Sequence, residues 1–450
     1  MTARVALAGL LCVTSCHAAR PLDGEAMLRE FRQAATAQRA SPASTMDEDA
    51  AVRLAVAGSP SVQTARAMVA EALGGEVRVR SVDNPEVRVD NAYLRRGSNN
   101  LDRDVYKLGL DLRVNLPSLA ELPARIDAAR ADVTAARAGV GIEETRVRMD
   151  VRVAFARAAA ARGKSALLSR LLAARREREA NVALSVSGGH AVASDLSLAR
   201  VAVVDALDRA GRAALDGASA RGALGRVLAT EPPGPDSLVL PEGPSCRAAP
   251  GDVAALEDRA LAGSPDLDRR RALHLRAQEE ARAENLAWLP RLKFLEVGYS
   301  RNFLAGTEPV DATNQVEPRY YAWGVHVGVG LDLPLWNWNQ GRVAAAEARV
   351  DGEAARFREA LAGTVADLHR SLARWREAHE RAQRTGSTTL PAAEEALKLT
   401  RQAVESGRLP VTAALEAEER LLLARIGLID DLMDCRVGEV EVEAALGRDL

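Results

Sequence analysis

Eleven residues, 323–333, constrain the fold of this chain more than any other stretch. Trp323, Val325, Val327, Val329, Leu331 and Leu333 alternate with Gly324, His326, Gly328, Gly330 and Asp332. A side-chain period of two, with one face apolar and the other small or polar, predicts a half-buried β-strand. The pattern recurs where Tyr106, Leu108, Leu110, Leu112 and Val114 alternate with Lys107, Gly109, Asp111, Arg113 and Asn115. A weaker version runs through Val87, Val89 and Tyr93, and another through Leu295, Val297 and Tyr299. Four strands are therefore expected, in two neighbouring pairs.

The rest of the chain reads as helix. Hydrophobic residues make up 47% of the sequence and charged residues 27%, and Ala and Leu with Arg and Glu favour long helices. The clearest stripe is Val343, Ala346, Val350, Ala354, Phe357, Leu361, Val365, Leu368, Leu372 and Trp375. Its opening steps of 3, 4, 4, 3, 4 and 4 form an eleven-residue repeat, which keeps a helix straight or slightly right-handed. No breaker appears from Gly341 until Thr385-Gly386-Ser387, where an interruption is expected. Resumption to Glu405 makes a rod ~100 Å long at 1.5 Å per residue. Its partner runs from Val411 to Ala445 with Leu415, Leu422, Ile426, Ile429, Met433 and Val437. Such stripes alone fit a soluble bundle or spectrin-like rod equally well.

The chain is organised as a tandem repeat. Ala57-Gly58-Ser59-Pro60 returns as Ala262-Gly263-Ser264-Pro265, and Pro85 as Pro290, both at an offset of 205. Gly109-Leu110-Asp111-Leu112 returns as Gly330-Leu331-Asp332-Leu333 at 221, and Ser187-Gly188 as Ser406-Gly407 at 219. The order is kept and the drift falls in loops, as a duplication requires. Residues 231–251 hold six prolines and read as a linker. The expected divisions are a leader over 1–16, an extension over 17–46 with one short helix, a first repeat over 47–230, that linker, and a second repeat over 252–450.

Residues 1–16, MTARVALAGLLCVTSC, carry Arg4, an apolar stretch from Val5 to Val13, and small residues before Cys16. This is a secretory signal, too short to cross a bilayer. Val-Thr-Ser-Cys resembles a bacterial lipobox, which makes Cys16 the acylated residue, although Val13 stands where Leu is preferred. Cleavage after Ala18 or Ala19 remains the alternative. Beyond the leader, no segment reaches the ~20 apolar residues of a spanning helix. A membrane reading must therefore use the strands.

Aromatic placement favours that reading. The chain has five each of Phe, Trp and Tyr. Most fall within 86–115 and 288–338, among them Tyr320, Tyr321, Trp323, Trp336 and Trp338. Aromatics at strand ends around a Val/Leu band are what membrane strands set at the lipid–water boundary. A small soluble sheet with an aromatic core is the plainer alternative. Four strands cannot close a barrel, and an open edge cannot face lipid. Three protomers would supply enough strands for a wide barrel, with Val and Leu outward and Gly, His and Asp toward a lumen.

Several stretches, in order, resemble the TolC-like bacterial outer-membrane efflux proteins, particularly those serving RND-type tripartite pumps of the heavy-metal and drug efflux branch. They are the Ala-Gly-Ser-Pro helices, Asn84-Pro85-Glu86-Val87, Leu289-Pro290-Arg291-Leu292, Leu331–Trp338 with Asn339-Gln340-Gly341-Arg342, and Ser406-Gly407 followed by Leu415 through Leu423. The resemblance spans 47–450. It implies a mainly α fold with a small β part. Long antiparallel helices would form a trimeric periplasmic α-barrel, and four strands per chain would contribute to a twelve-stranded outer-membrane β-barrel. It also implies a homotrimer that works with a periplasmic adaptor (membrane fusion) protein, an inner-membrane RND-type transporter and outer-membrane lipid. The turns between long helices become the periplasmic tip, with Gly188, Gly189, Asp195, Gly407 and Arg408 as docking and aperture candidates. Where the family often has Asp in the second repeat this chain has Ala413, so an aperture carboxylate ring would rest on Asp195.

Other chemistries find little support. The net charge of −2, from 60 basic and 62 acidic residues, suggests no nucleic-acid surface. Six histidines are scattered without an i,i+4 pair, and four cysteines show neither a disulfide framework nor clustered zinc ligands. There is no P-loop, nucleophile elbow or dinucleotide fingerprint. No enzyme activity, cofactor or metal is expected. A periplasmic coiled-coil scaffold or adaptor without a barrel is the alternative to a passive export duct.

Overall fold

The structure, a computed structural model, describes residues 23–40, 46–96, 103–234, 238–241, 243–305 and 322–447. It divides into two compact units, each drawing on both halves of the chain. One comprises Val56–Met149, Ser245–Ala392 and Asp430–Leu450, and holds every strand. The other comprises Met1–Ala55, Asp150–Pro244 and Ala393–Ile429; among its described residues it holds helices and an isolated bridge between Met46 and Leu238.

The described elements begin with helices α1 (Gly24–Ala40), α2 (Glu48–Gly58) and α3 (Pro60–Arg80), then strands β1 (Glu86–Arg96) and β2 (Arg103–Asn115). Helices α4 (Leu122–Ser187), α5 (Ala193–Leu228), α6 (Val253–Gly263) and α7 (Pro265–Leu286) follow. Strands β3 (Arg291–Ala305) and β4 (Ala322–Asp332) precede α8 (Gln340–Arg384), α9 (Leu390–Glu405) and α10 (Val411–Ala445). The chain is thus mainly α with one small sheet, as expected. Both Ala-Gly-Ser-Pro copies act alike: the buried Ser59 and Ser264 precede α3 and α7, whose first residue is the proline. Proline fits there because the first-turn N–H it lacks would have no helical partner.

In the strand-bearing unit all pairing is antiparallel, in the order β1-β2-β3-β4. Register carries one row, Val87–Leu112–Val297–Val327, across all four strands, and beside it Val89–Leu110–Tyr299–Val325. Every side chain in these two rows is exposed. The alternate rows put Asp111, Arg113, Glu296 and His326 on the opposite face. The alternation read from sequence is therefore real, and the chain leaves the apolar face of the sheet uncovered.

The helical stripe of α8 is equally legible. Ala346, Leu368, Leu372 and Trp375 are buried and Val343, Val350, Phe357, Leu361 and Val365 are half-buried, while most positions between them are exposed. Trp375 joins Leu256, Ala260, Leu368, Cys435 and Val442 in this unit's core, and its indole N–H donates to the Arg247 carbonyl at 3.0 Å. The interruption expected at Thr385-Gly386-Ser387 is present, and the α-helix resumes to Glu405. Thr385–Thr389 winds as a π-helical turn joining α8 to α9 without a gap, and Thr385 Oγ1 bonds Asp431 Oδ2 at 2.9 Å. Pro391 supplies the reason, since its ring and missing N–H disturb the preceding turn, which a wider π-turn accommodates.

The same core corrects one sequence expectation. Cys246 and Cys435, 189 residues apart, form a disulfide with a Cα–Cα distance of 5.8 Å. The end of the proline-rich segment folds back onto α10, a juxtaposition that residue spacing does not reveal.

The helical unit packs Leu168 and Leu171 of α4 against Ala206 and Ala213 of α5 and Leu422 of α10. Beside that core, buried Arg175 donates to the Ala202 carbonyl at 2.6 Å and to Asp205 Oδ2 at 2.8 Å, and lies 3.6 Å from buried Glu419. One guanidinium thereby links α4, α5 and α10.

Candidate functional site

Both helix-joining turns lie in the helical unit, and their backbones are built alike. At the α4–α5 turn the Gly189 N–H donates to Val186 O at 3.1 Å and the His190 N–H to Ser185 O at 2.8 Å. At the α9–α10 turn the Gly407 N–H donates to Val404 O and the Arg408 N–H to Ala403 O, both at 2.9 Å. This bonding is the Schellman C-cap, which needs a left-handed residue that glycine supplies without a Cβ penalty. Gly189 has φ 74° and Gly407 φ 71°. The backbone thus matches Gly189, not Gly188, to Gly407, one residue off the Ser-Gly match in the sequence. The same shift matches His190 to Arg408 and Asp195 to Ala413.

Gly188, Gly189, Asp195, Gly407 and Arg408 are all exposed. Asp195 lies in the first turn of α5, where a carboxylate complements the positive end of the helix dipole. Deeper in this unit, the Arg175 hydrogen bond holds the Asp205 carboxyl below the usual carboxylate range.

The second surface is the sheet. Trp323 begins the apolar alternation of β4, and Trp336 and Trp338 follow β4 in the segment leading to α8; Trp336 is 89% exposed. That segment is anchored by Asn339, whose side-chain amide donates to Glu284 O and Glu284 Oε2, each at 2.9 Å. Arg342 bonds Glu284 Oε1 at 2.9 Å, so the aromatic stretch ends on a fixed helix start. Tyr320, Tyr321 and Cys16 lie outside the described residues.

Two groupings escaped the sequence reading. His379 Nδ1 lies 3.9 Å from Cys435 Sγ beside the disulfide. On the polar sheet face, His326 Nε2 lies 3.4 Å from Asp111 Oδ1 and 3.7 Å from Glu296 Oε1. Strand alternation already put these three residues on one face. Which of them meet depends on inter-strand register.

Residues 256–448 match the sequence model of the outer membrane efflux protein family. Among curated proteins none matches the chain by sequence. Among solved structures, the channel protein CusC aligns at TM-score 0.69 and 16% identity, over 90% of this chain and 93% of that one. The outer membrane protein VceC of Vibrio cholerae aligns at 0.69 and 17%, over 89% and 96%. The open-state MtrE channel of Neisseria gonorrhoeae aligns at 0.68 and 18%, over 88% of each. At these identities the likeness to the solved channels is one of fold. Residues 256–448 thus resemble the outer membrane efflux proteins in sequence, and nearly the whole chain shares the fold of the solved outer-membrane channels.

Proposed function

We propose that this protein is the exit duct of a tripartite efflux pump, a homotrimer that conducts substrate passively across the outer membrane. An inner-membrane RND-type transporter would supply the driving force, and a periplasmic adaptor would join the two. The observation that carries this reading is the sheet. Its Val/Leu face is exposed, and β1 and β4 each leave an edge without a partner strand in the described protomer. In lipid an unpaired edge is prohibitively costly, so β4 of one protomer must pair with β1 of the next until the ring closes. Three four-stranded sheets close a twelve-stranded barrel with the apolar rows toward lipid. Trp323, Trp336, Trp338, Tyr320 and Tyr321 would form its interfacial girdles, and acylated Cys16 would add a lipid anchor. A coiled-coil scaffold without a barrel leaves the exposed apolar rows without a role.

The two Schellman turns are the proposed adaptor-docking tip, and Asp195 the aperture carboxylate. Gly407→Trp should strain a left-handed residue by roughly 1 kcal/mol, a cost a large trimer can absorb. Gly188→Trp adds bulk where φ is not left-handed. Both variants should abolish export and adaptor cross-linking while trimer level and membrane assembly stay normal. Asp195→Ala should instead raise leakage of small solutes. Normal export by both Trp variants at wild-type trimer levels would sink the docking assignment.

A further inference from the structure

The polar face of the sheet carries a cluster that passive conduction does not require. Two cross-strand rows run side by side there, Arg88–Asp111–Gly298–His326 and Glu86–Arg113–Glu296–Gly328. Gly298 stands between Asp111 and His326, and a Cβ at that position would overlap Asp111 Oδ1 and the His326 ring. The missing side chain lets the two groups lean together over β3 to the 3.4 Å separation given above.

Three features make this a ligand set and not merely a charged surface. Asp111 is only 7% exposed, and its Oδ1 accepts no hydrogen bond although it is turned toward His326. Glu296 Oε2 accepts from Arg113 Nε at 2.7 Å, which leaves Oε1 toward His326 at 3.7 Å. All three donor atoms lie within 4.8 Å of one another. Ligands about 2.0–2.2 Å from a tetrahedral ion sit about 3.3–3.6 Å apart, so small side-chain shifts bring these atoms onto a common sphere. The His326 side chain is half-exposed, which leaves a path for an ion and a position for water.

We propose that Asp111 Oδ1, Glu296 Oε1 and His326 Nε2 form a three-ligand site for a borderline divalent transition cation, of which Zn2+ is the type. One imidazole with two carboxylates suits such ions, and an open fourth position is the pattern of an exchangeable site, not a structural one. The cations facing the cluster, Arg113 on β2 and Arg88 on β1, temper its negative charge and hold affinity down. Occupancy would relieve the orphaned Oδ1. If the duct reading holds, a trimer presents three such sites to its lumen, but the site itself does not depend on that reading.

The test uses the full-length protein purified in detergent and stripped with chelator, and needs no pump. Titration calorimetry with Zn2+ should find one exchangeable equivalent per chain. His326→Ala and the isosteric Asp111→Asn should each weaken it at least about tenfold. Co2+ should give visible bands of a low-coordinate nitrogen–oxygen site, lost in His326→Ala. Size-exclusion chromatography confirms that each variant remains assembled. Unchanged Zn2+ binding in both variants would assign the ion to another place, such as surface histidines or His379. Absence of both Zn2+ uptake and Co2+ bands in the wild type overturns the proposal even where a variant fails to fold. Wild-type protein that binds Zn2+ yet supports neither export nor conductance would count against the duct reading alone.

Discussion

Arginine at the centre of β4 is the sharpest available test of a membrane barrel. Val327 is the middle residue of the eleven in Ala322–Asp332, and it is 72% exposed on the apolar face beside Val297. At about 3.4 Å per residue and a tilt near 45°, an eleven-residue strand spans roughly 26 Å, close to the apolar band of an outer-membrane barrel. In the proposed barrel Val327 would fall near the bilayer midplane, where Arg on the lipid face costs ~2–4 kcal/mol per chain. That corresponds to roughly 30- to 1,000-fold in an assembly equilibrium. The control is the next residue. Gly328 faces the other way, and a Cβ there would meet Glu296 Cβ at 3.4 Å, an ordinary contact. Arginine at 328 would sit beside a carboxylate in a hydrated lumen. Membrane fractions probed for heat-modifiable trimer should show Val327→Arg strongly depleted and Gly328→Arg near wild type. Equal tolerance of both substitutions would refute the lipid-facing assignment and with it the barrel.

Other expectations follow from single residues. Cys16→Ser should abolish acyl labelling while secretion continues, and persistent labelling would mean that Cys16 is not the anchor. The Cys246–Cys435 bridge spans 189 residues, a loop worth about 5 kcal/mol in the chain-entropy treatment. Cys435→Ser should therefore lower the unfolding temperature, and reductant should have the same effect on wild type but none on the variant. Arg175→Ala leaves buried Glu419 facing only Arg178, also 3.6 Å away, so the loss in thermal unfolding should fall below the about 3–5 kcal/mol of a fully stranded buried charge. Asp205 has its pKa depressed in the fold, so its contribution is complete above the unfolded value near 4 and is lost as pH falls through the folded value. Its side chain is 43% exposed, which keeps the effect small. Asp205→Asn should lower stability at neutral pH and flatten the decline below about pH 4, and a profile parallel to wild type would show that the pair contributes nothing.

Periodicity alone makes most elements readable. Alternation located β2 and β4 to within a few residues, and the α8 stripe named the side chains that the core receives. The turn glycines are legible as helix-ending residues because a left-handed C-cap is a local demand. Their correspondence was read one residue off, since the Ser-Gly pairs align by letters while the Schellman bonds align Gly189 with Gly407. The interruption at Thr385–Thr389 is legible from Gly and Ser, but its form is not: Pro391 and the Thr385–Asp431 bond select a continuous π-turn.

What the sequence determined by itself is what depends on neighbours along the chain: which residues are helical or extended, which face of each element is apolar, and where helices end. Side-chain geometry repeats every 2 or 3.6 residues whatever lies across the space, so such features survive in one dimension. Tertiary structure alone decided the long-range meetings. Cys246 reached Cys435, Arg175 reached Glu419, and Asp111, Glu296 and His326 met over Gly298. Each depends on a register or packing choice settled by the whole core, and a shift of one residue would turn every strand side chain to the other face.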